Sequence, residues 1–223
     1  MLVHLLTALR SSALFDDVIV TSGDDVLLSV ATQCGVRTVR TDGAYRNGSH
    51  RVSAAVKKLE LERDMIVNIQ GDMPSVEPVA LSGMLESLRA SSVGCWTISR
   101  PCNSEQERQD PNRVKVVVDQ ASRALYFSRS PLPFNGSAEE TRIHVGVYGF
   151  QAGQLNRYVL SPPSSLGSSE DLEQLDCLSS GHGLGVHHAA WSVPALDQPE
   201  DVSSIQSWFA KGKRQQNDTG GGY

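Results

Sequence analysis

Apolar and polar positions along this chain follow two alternating periods. Leu2 to Ser12 repeats its apolar residues at helical spacing (Leu2, Leu5, Leu6, Leu9), whereas Asp17 to Thr21 is a short apolar run of strand length. Ser22-Gly23-Asp24-Asp25 signals a helix start, and Val26 to Cys34 is a helix closed by Gly35. Val36 to Arg40 reads as a second strand, and Asp42 to Ser49 as a polar, Gly-containing loop. Arg51 to Glu60 is helical, Met65 to Ile69 is a buried strand, and Val79 to Ala90 is helical again. Strands separated by helices of about ten residues predict a parallel sheet with right-handed crossovers.

The texture changes after Val93. Val93 to Ile98, Arg113 to Asp119, Arg123 to Ser128 and Ile143 to Phe150 read as strands with few helices between them, which predicts an antiparallel excursion. Helical pattern returns over Ala152 to Val159 and Leu166 to Leu178. A strand follows at Gly185 to Val193, and a last helix starts near Pro199. The expected fold is one α/β domain over 1–210, with a Rossmann-like, mostly parallel sheet flanked by helices and a strand-rich insertion over 93–150. Residues 211–223 are polar and Gly-rich and are expected to be disordered.

A chain of 223 residues is long enough for a full core of this kind. Apolar content of 39% and charged content of 20% are those of an ordinary globule. A formal charge of −5 offers no basic surface for nucleic acid. No apolar stretch reaches the length of a membrane span, and the first residues lack the basic region and cleavage site of a signal peptide. Cys34, Cys95, Cys102 and Cys177 lie far apart with no CxxC spacing, so they read as reduced thiols of a cytoplasmic protein. His182, His187 and His188 form no metal-ligand spacing with them.

Candidate chemistry begins at Gly71-Asp72. The strand Met65 to Ile69 breaks at the glycine and delivers Asp72 to its carboxyl end, where Pro74 delays the next helix. Ligands of open α/β sheets bind outside those ends. A lone carboxylate there suits Mg²⁺ bound to nucleotide phosphates, since Mg²⁺ takes only one or two protein carboxylates besides phosphate oxygens. An Asp in a strand-ending turn is the simpler reading of Gly-Asp alone.

Other motifs run in a fixed order. Arg46-Asn-Gly-Ser-His-Arg51 opens a helix, and Gln70-Gly-Asp-Met-Pro74 follows the buried strand. Next come Tyr126-Phe-Ser-Arg-Ser-Pro-Leu-Pro133, His144-Val-Gly-Val-Tyr-Gly149, Leu172-Glu-Gln-Leu175 and Leu196-Asp-Gln-Pro-Glu-Asp201. From Met1 to about Trp208 this series resembles the CMP-Kdo synthetases, the 3-deoxy-manno-octulosonate cytidylyltransferases. The resemblance implies a nucleotide-diphospho-sugar-transferase-like fold and a reaction. The anomeric hydroxyl of the sugar acid Kdo attacks the α-phosphorus of CTP, pyrophosphate leaves and a CMP-sugar forms. It also implies Mg²⁺ as cofactor, a homodimer, and a place in lipopolysaccharide or related polysaccharide synthesis.

The implied roles fall on individual residues. Asp72 and Asp197 match the catalytic metal carboxylates; Asp197 is also a plain N-cap for the helix near Pro199. Gly48, Ser49 and Arg51 match the family's Gly-Thr/Ser-x-Arg at the nucleotide side, and Gln70 matches the glutamine facing the nucleotide. Arg129, His144, Tyr148, Glu173 and Gln174 match the sugar-acid side, the Arg suiting a substrate carboxylate. Without the resemblance, Ser49 reads as an ordinary cap with Arg51 on the surface, and His144 as a structural histidine.

Departures accompany the matches. Met1-Leu-Val-His4 matches the family just after a strand and a triphosphate-wrapping loop, so the resemblance implies that roughly 20 to 25 residues of that part are absent from this sequence. Such a loss is expected to leave sheet edges unpaired and to weaken triphosphate binding. His50, Met73, Gly167-Ser168 and Leu196-Asp-Gln198 also differ from the usual residues. A cytidylyltransferase for another acid, such as sialic acid, and an inactive truncated paralogue therefore stay open beside the Kdo enzyme.

Overall fold

The computed structural model describes residues 1–191, 193, 201–203 and 205–209. Helix α1 (Leu2–Ser11) precedes strand β1 (Ile19–Ser22), helix α2 (Asp25–Gln33) and strand β2 (Arg37–Arg40). Helix α3 (Gly48–Lys58), strand β3 (Met65–Ile69), helix α4 (Pro78–Ala90) and strand β4 (Cys95–Pro101) follow. The strand-rich part holds β5 (Lys115–Val118), β6 (Ala124–Ser128) and β7 (Arg142–Gln151), with a short helix α5 (Glu105–Gln109) ahead of them. Helices α6 (Gln154–Val159), α7 (Ser165–Glu170) and α8 (Glu173–Ser179) lead to strand β8 (Gly185–His188).

Local chemistry explains most boundaries. Asp24 caps α2 by accepting from Val26 N–H at 2.7 Å, and Asn47 caps α3 by accepting from His50 N–H at 3.1 Å. Pro78 occupies the first turn of α4, where its missing N–H costs nothing. Ser104 caps α5, a helix the sequence pattern does not announce. The single helix expected over Leu166 to Leu178 is two, because Asp171 adopts a left-handed conformation (φ 54°) between them. Asp tolerates that conformation better than most residues. Strand β8 ends at His188, short of the expected Val193. The helix expected near Pro199 begins outside the described residues; residues 201–203 and 205–209 are helical. Residues 211–223 lie outside the described residues.

The sheet is mixed, not mostly parallel. Parallel pairing joins β1 to β2 and β4 to β8, while β3–β7, β4–β7, β5–β6 and β5–β7 are antiparallel. The helical crossovers before β3 and β4 are present, but β7 returns from the strand-rich part and runs antiparallel between them. That insertion of β7 also makes residues 93–150 part of the main sheet. Strands β1 and β2 form a two-stranded sheet of their own, and β3 pairs with β7 alone among the described residues. Consistent with one uncovered flank, only Asn68 of β3 is buried, although the segment reads as a fully buried strand.

Two apolar layers cover the six-stranded sheet. On one face, Leu81, Met84, Leu85 and Leu88 of α4 pack with Leu5 and Leu9 of α1 on Ile98, Val145 and Val147. On the other, Leu155 and Tyr158 of α6 and Leu175 of α8 pack on Phe127, Tyr148 and Phe150. Each buried Leu or Phe contributes about 1.5–3 kcal/mol relative to exposure. This frame fixes the carboxyl end of β3 against the middle of β7 and the start of α8, and the candidate site lies there.

Candidate active site

A cavity of about 610 Å³ opens where these three elements meet. Helix α3 contributes its first residue, Gly48, and the turn after β3 contributes Gln70 and Asp72. Strand β7 contributes His144 and Tyr148, the residue after β6 contributes Arg129, and the start of α8 contributes Glu173 and Gln174. Eight residues singled out from the sequence thus line one space, although more than 120 positions separate Gly48 from Glu173. Ser49 and Arg51 do not line it, and Asp197 lies outside the described residues.

The nucleotide-side candidates divide into those that face the cavity and those that support it. Gly48 begins α3, and the cap is Asn47 and not Ser49. Ser49 is fully buried behind the wall; it accepts from Asn68 Nδ2 at 3.2 Å and donates to Glu173 Oε1 at 3.3 Å. Arg51 turns away, donating to the Thr41 carbonyl at 2.8 Å and Thr41 Oγ1 at 3.1 Å while lying over the Tyr45 ring. Both therefore act as braces of the loop in this structure. Gln70 is exposed at the cavity edge, and a Cβ at position 146 would sit 3.3 Å from its Nε2, so Gly146 gives the amide its room. Asp72 is exposed in the turn after β3, which is held by Met73 N–H donating to the Gln70 carbonyl at 3.2 Å.

The sugar-side candidates form a bonded chain. Tyr148 O–H donates to Gln174 Oε1 at 3.3 Å, which leaves the Gln174 amide N–H groups for other partners. Burial raises the Tyr148 phenol well above its ordinary value, so it stays a donor at any physiological pH. The Thr97 hydroxyl donates to the Val147 carbonyl at 2.7 Å and meets His144 Nε2 at 2.8 Å. A hydroxyl has one proton, so Nε2 carries the hydrogen of the imidazole and Nδ1 is left as an acceptor. Burial pushes His144 down to about 3, so it is neutral at pH 7 and offers hydrogen bonding, not charge.

Glu173 is the unusual group. Burial pushes its carboxyl up to about 7, a rise that Asp176 reinforces and that Ser49 and Arg46 oppose. Its Oε1 meets Ser49, while its Oε2 is buried without a partner. A carboxyl poised near neutrality can offer a proton or accept one, and a bare buried oxygen is costly unless a ligand hydroxyl meets it.

Arg129 lines the cavity and is also bonded to the backbone beside it. It donates through Nε to the Glu170 carbonyl at 2.7 Å, through Nη1 to the Pro111 carbonyl at 3.2 Å, and through Nη2 to the Asp171 carbonyl at 3.2 Å. Its guanidinium thus ties two backbone segments beside the cavity, at Pro111 and at Glu170–Asp171. Arg46, Arg100, Arg113 and Asp176 also line the cavity, and no sequence motif marks the last three as site residues. Arg46 belongs to the Arg46–Arg51 motif, but its partner Asp176 is 130 positions away and invisible from local sequence.

The sequence profile described as Cytidylyltransferase matches residues 1–184. A 3-deoxy-manno-octulosonate cytidylyltransferase of an Anaeromyxobacter species is 34% identical over 96% of this chain and 88% of its own length. This chain belongs to the cytidylyltransferase family, among the 3-deoxy-manno-octulosonate cytidylyltransferases. The cytidylyltransferase of the same name from Zea mays is 34% identical over 86% of this chain, which spans 66% of the maize protein. A solved CMP:2-keto-3-deoxy-manno-octonic acid synthetase, complexed with CTP, superposes with a TM-score of 0.83 at 27% identity, over 92% of this chain and 87% of that one. A 4-diphosphocytidyl-2C-methyl-D-erythritol synthase from Anaerococcus prevotii shares the fold at 11% identity, with a TM-score of 0.62 over 94% of this chain and 88% of that one. The mixed sheet with flanking helices is therefore the cytidylyltransferase fold.

Proposed function

We propose that this cytidylyltransferase activates 3-deoxy-manno-octulosonate with CTP, giving CMP-Kdo and pyrophosphate. The observation that carries the reading is one cavity lined by both sets of candidates: Gly48, Gln70 and Asp72 for the nucleotide, and His144, Tyr148, Glu173 and Gln174 for the sugar acid. The first set suits a pyrimidine nucleotide: the Gln70 amide both donates and accepts, as cytosine requires. The second set offers donors and acceptors for the hydroxyls of a sugar acid. In the reaction the anomeric oxygen bonds to the α-phosphorus, the bond from that phosphorus to the bridging oxygen breaks, and the hydroxyl proton is released. Positioning of the two substrates and charge neutralisation carry such a transfer.

Asp72 fits a role in holding Mg²⁺. It is an exposed hard oxygen donor at the cavity rim, and among the described residues no cluster of three or more His, Cys, Asp or Glu would cage a metal by itself. Mg²⁺ bound mainly through phosphates needs only such a carboxylate, with Asp197 proposed as the second. The ion would supply neutralisation of the phosphate charge. We further read the protein as a cytoplasmic homodimer in polysaccharide synthesis. Four free cysteines suit a reducing compartment, no helix among the described residues is long and apolar enough to cross a membrane, and Leu125 and Phe134 are exposed on the strand-rich part.

Pyrophosphate release from CTP and Mg²⁺ with Kdo, with sialic acid and with no acceptor tests the reading. Release that depends on Kdo supports it. Release that prefers the nine-carbon acid, or none with either, overturns it.

A further inference from the structure

Four arginines line the cavity, and the described residues use them differently. Arg129 keeps 35% of its side chain accessible, but its Nε, Nη1 and Nη2 all donate to backbone carbonyls, and Nη2 also meets the Asp171 carboxylate at 3.4 Å. Arg100 pairs with Glu107 and donates to the Pro101 carbonyl at 2.9 Å, and Arg113 pairs with Asp110 and with Asp201. Arg46 meets Asp176 through Nη2 alone and keeps 37% of its side chain accessible. A guanidinium has five N–H donors, so the Arg46 fork retains its Nε and Nη1 side for a planar anion.

Asp176 is built to hold that arginine still. It is 5% exposed, and besides Arg46 it accepts from Ser164 N–H at 2.7 Å and from Ser164 Oγ at 2.8 Å. Any side chain at position 167 would strike Asp176 Oδ1, so Gly167 leaves the carboxylate its place against the first turn of α7. A carboxylate fixed by three donors has no freedom to follow a wandering arginine. The arginine must come to it, which orients the rest of the fork toward the cavity beside Glu173 and Gln174.

We infer that Arg46 recognises the carboxylate of the sugar acid, with Asp176 as its positioning residue, a task that the family resemblance assigns to Arg129. This rests on the Kdo reading above. The other anion in reach is the triphosphate, but Arg46 is paired to Asp176 of α8, the helix that also carries Glu173 and Gln174, so the carboxylate is the assigned source. A carboxylate held by a bidentate fork separates acids from neutral sugars of the same shape.

The test is direct binding by calorimetry of Kdo, of its carboxamide and of CTP to wild type and to Arg46→Gln, Arg46→Lys and Asp176→Asn, with turnover measured alongside. The expected result is that Arg46→Gln weakens Kdo about tenfold or more and loses the preference for acid over amide, with CTP affinity within about twofold. Arg46→Lys restores part of the preference, and Asp176→Asn falls between wild type and Arg46→Gln. Unchanged Kdo binding in Arg46→Gln, or a loss confined to CTP, overturns the assignment while wild-type turnover leaves the Kdo reading standing. Asp176→Asn equal to wild type overturns the positioning half. Wild type that binds and turns over no Kdo overturns the functional reading, and this assignment with it.

Discussion

The Ser49 hydroxyl donates to Glu173 Oε1 at 3.3 Å and joins the first turn of α3 to the first turn of α8 across 124 positions of sequence. This bond favours the ionised carboxyl, against the burial that pushes Glu173 up to about 7. Ser49→Ala removes it and is expected to raise the Glu173 pKa further. The alkaline shift is checked by the pH profile of kcat/KM, and an unmoved profile would show that Glu173 does not govern it.

Glu173 also makes stability depend on pH. Its folded value of about 7 lies above the 4.5 of an ordinary glutamate, so the folded state binds the proton more tightly than the unfolded one. The protonated form's advantage is full below about pH 4.5 and is lost as pH rises through 7. Its upper bound is about 3 kcal/mol, from the size of the shift. Glu173→Gln cannot ionise, so its melting temperature is expected to gain on wild type steadily from pH 4.5 to 7 and to keep a constant lead above. Parallel melting curves across that range would refute the shifted value.

Thr97→Val is expected to destabilise by about 1–3 kcal/mol, because the His144 Nε2–H would be left buried without its acceptor. Chemical denaturation measures the loss. The variant should also disturb the imidazole tautomer, which nitrogen chemical shifts of His144 report directly.

How far the site was legible depended on the range of the interaction. The cap at Asp24, the strand-rich texture after Val93 and the turn at Asp72 are local and were readable from neighbouring residues, whereas the cap of α3 is Asn47 and not the Ser49 that the motif suggests. The antiparallel entry of β7 beside β3 was not, because helical crossovers before β3 and β4 suggest parallel neighbours and say nothing about a strand returning 75 or so residues later. Ser49 and Arg51 were identified by motif position, yet their side chains support the wall: one binds Glu173 and the other Thr41. A motif shows which residues occur together and leaves open which way each side chain turns. Arg46–Asp176 joins residues 130 positions apart, and neither residue's local pattern names the other.

Tyr148→Phe separates binding from architecture. The ring is packed against Phe150 and Tyr158 and survives the change, so only the hydrogen bond to Gln174 is lost. The freed Gln174 amide is expected to rotate, raising KM for the sugar acid about fivefold, the equivalent of one ordinary hydrogen bond of about 1 kcal/mol. KM for CTP should not move. A change confined to CTP would place Tyr148 on the other side of the cavity.

Arg129 gives the sharpest contrast between a binding role and a bracing one. Its three donor directions end on the carbonyls of Glu170, Pro111 and Asp171, so a compact ammonium cannot reproduce them. Arg129→Lys is therefore expected to behave like Arg129→Gln: each loses about 1 kcal/mol of stability to denaturant, mainly from the part-buried bond to the Glu170 carbonyl, the bonds to Pro111 and Asp171 being exposed. Both variants should lose turnover in proportion to the loosened loop, with CTP and sugar-acid KM rising together because Asn112, Arg113, Gly167 and Ser168 of the two tied segments line the cavity. If the lysine variant instead keeps full stability and its KM rises for the sugar acid alone, Arg129 is a ligand-binding cation and its carbonyl contacts are secondary.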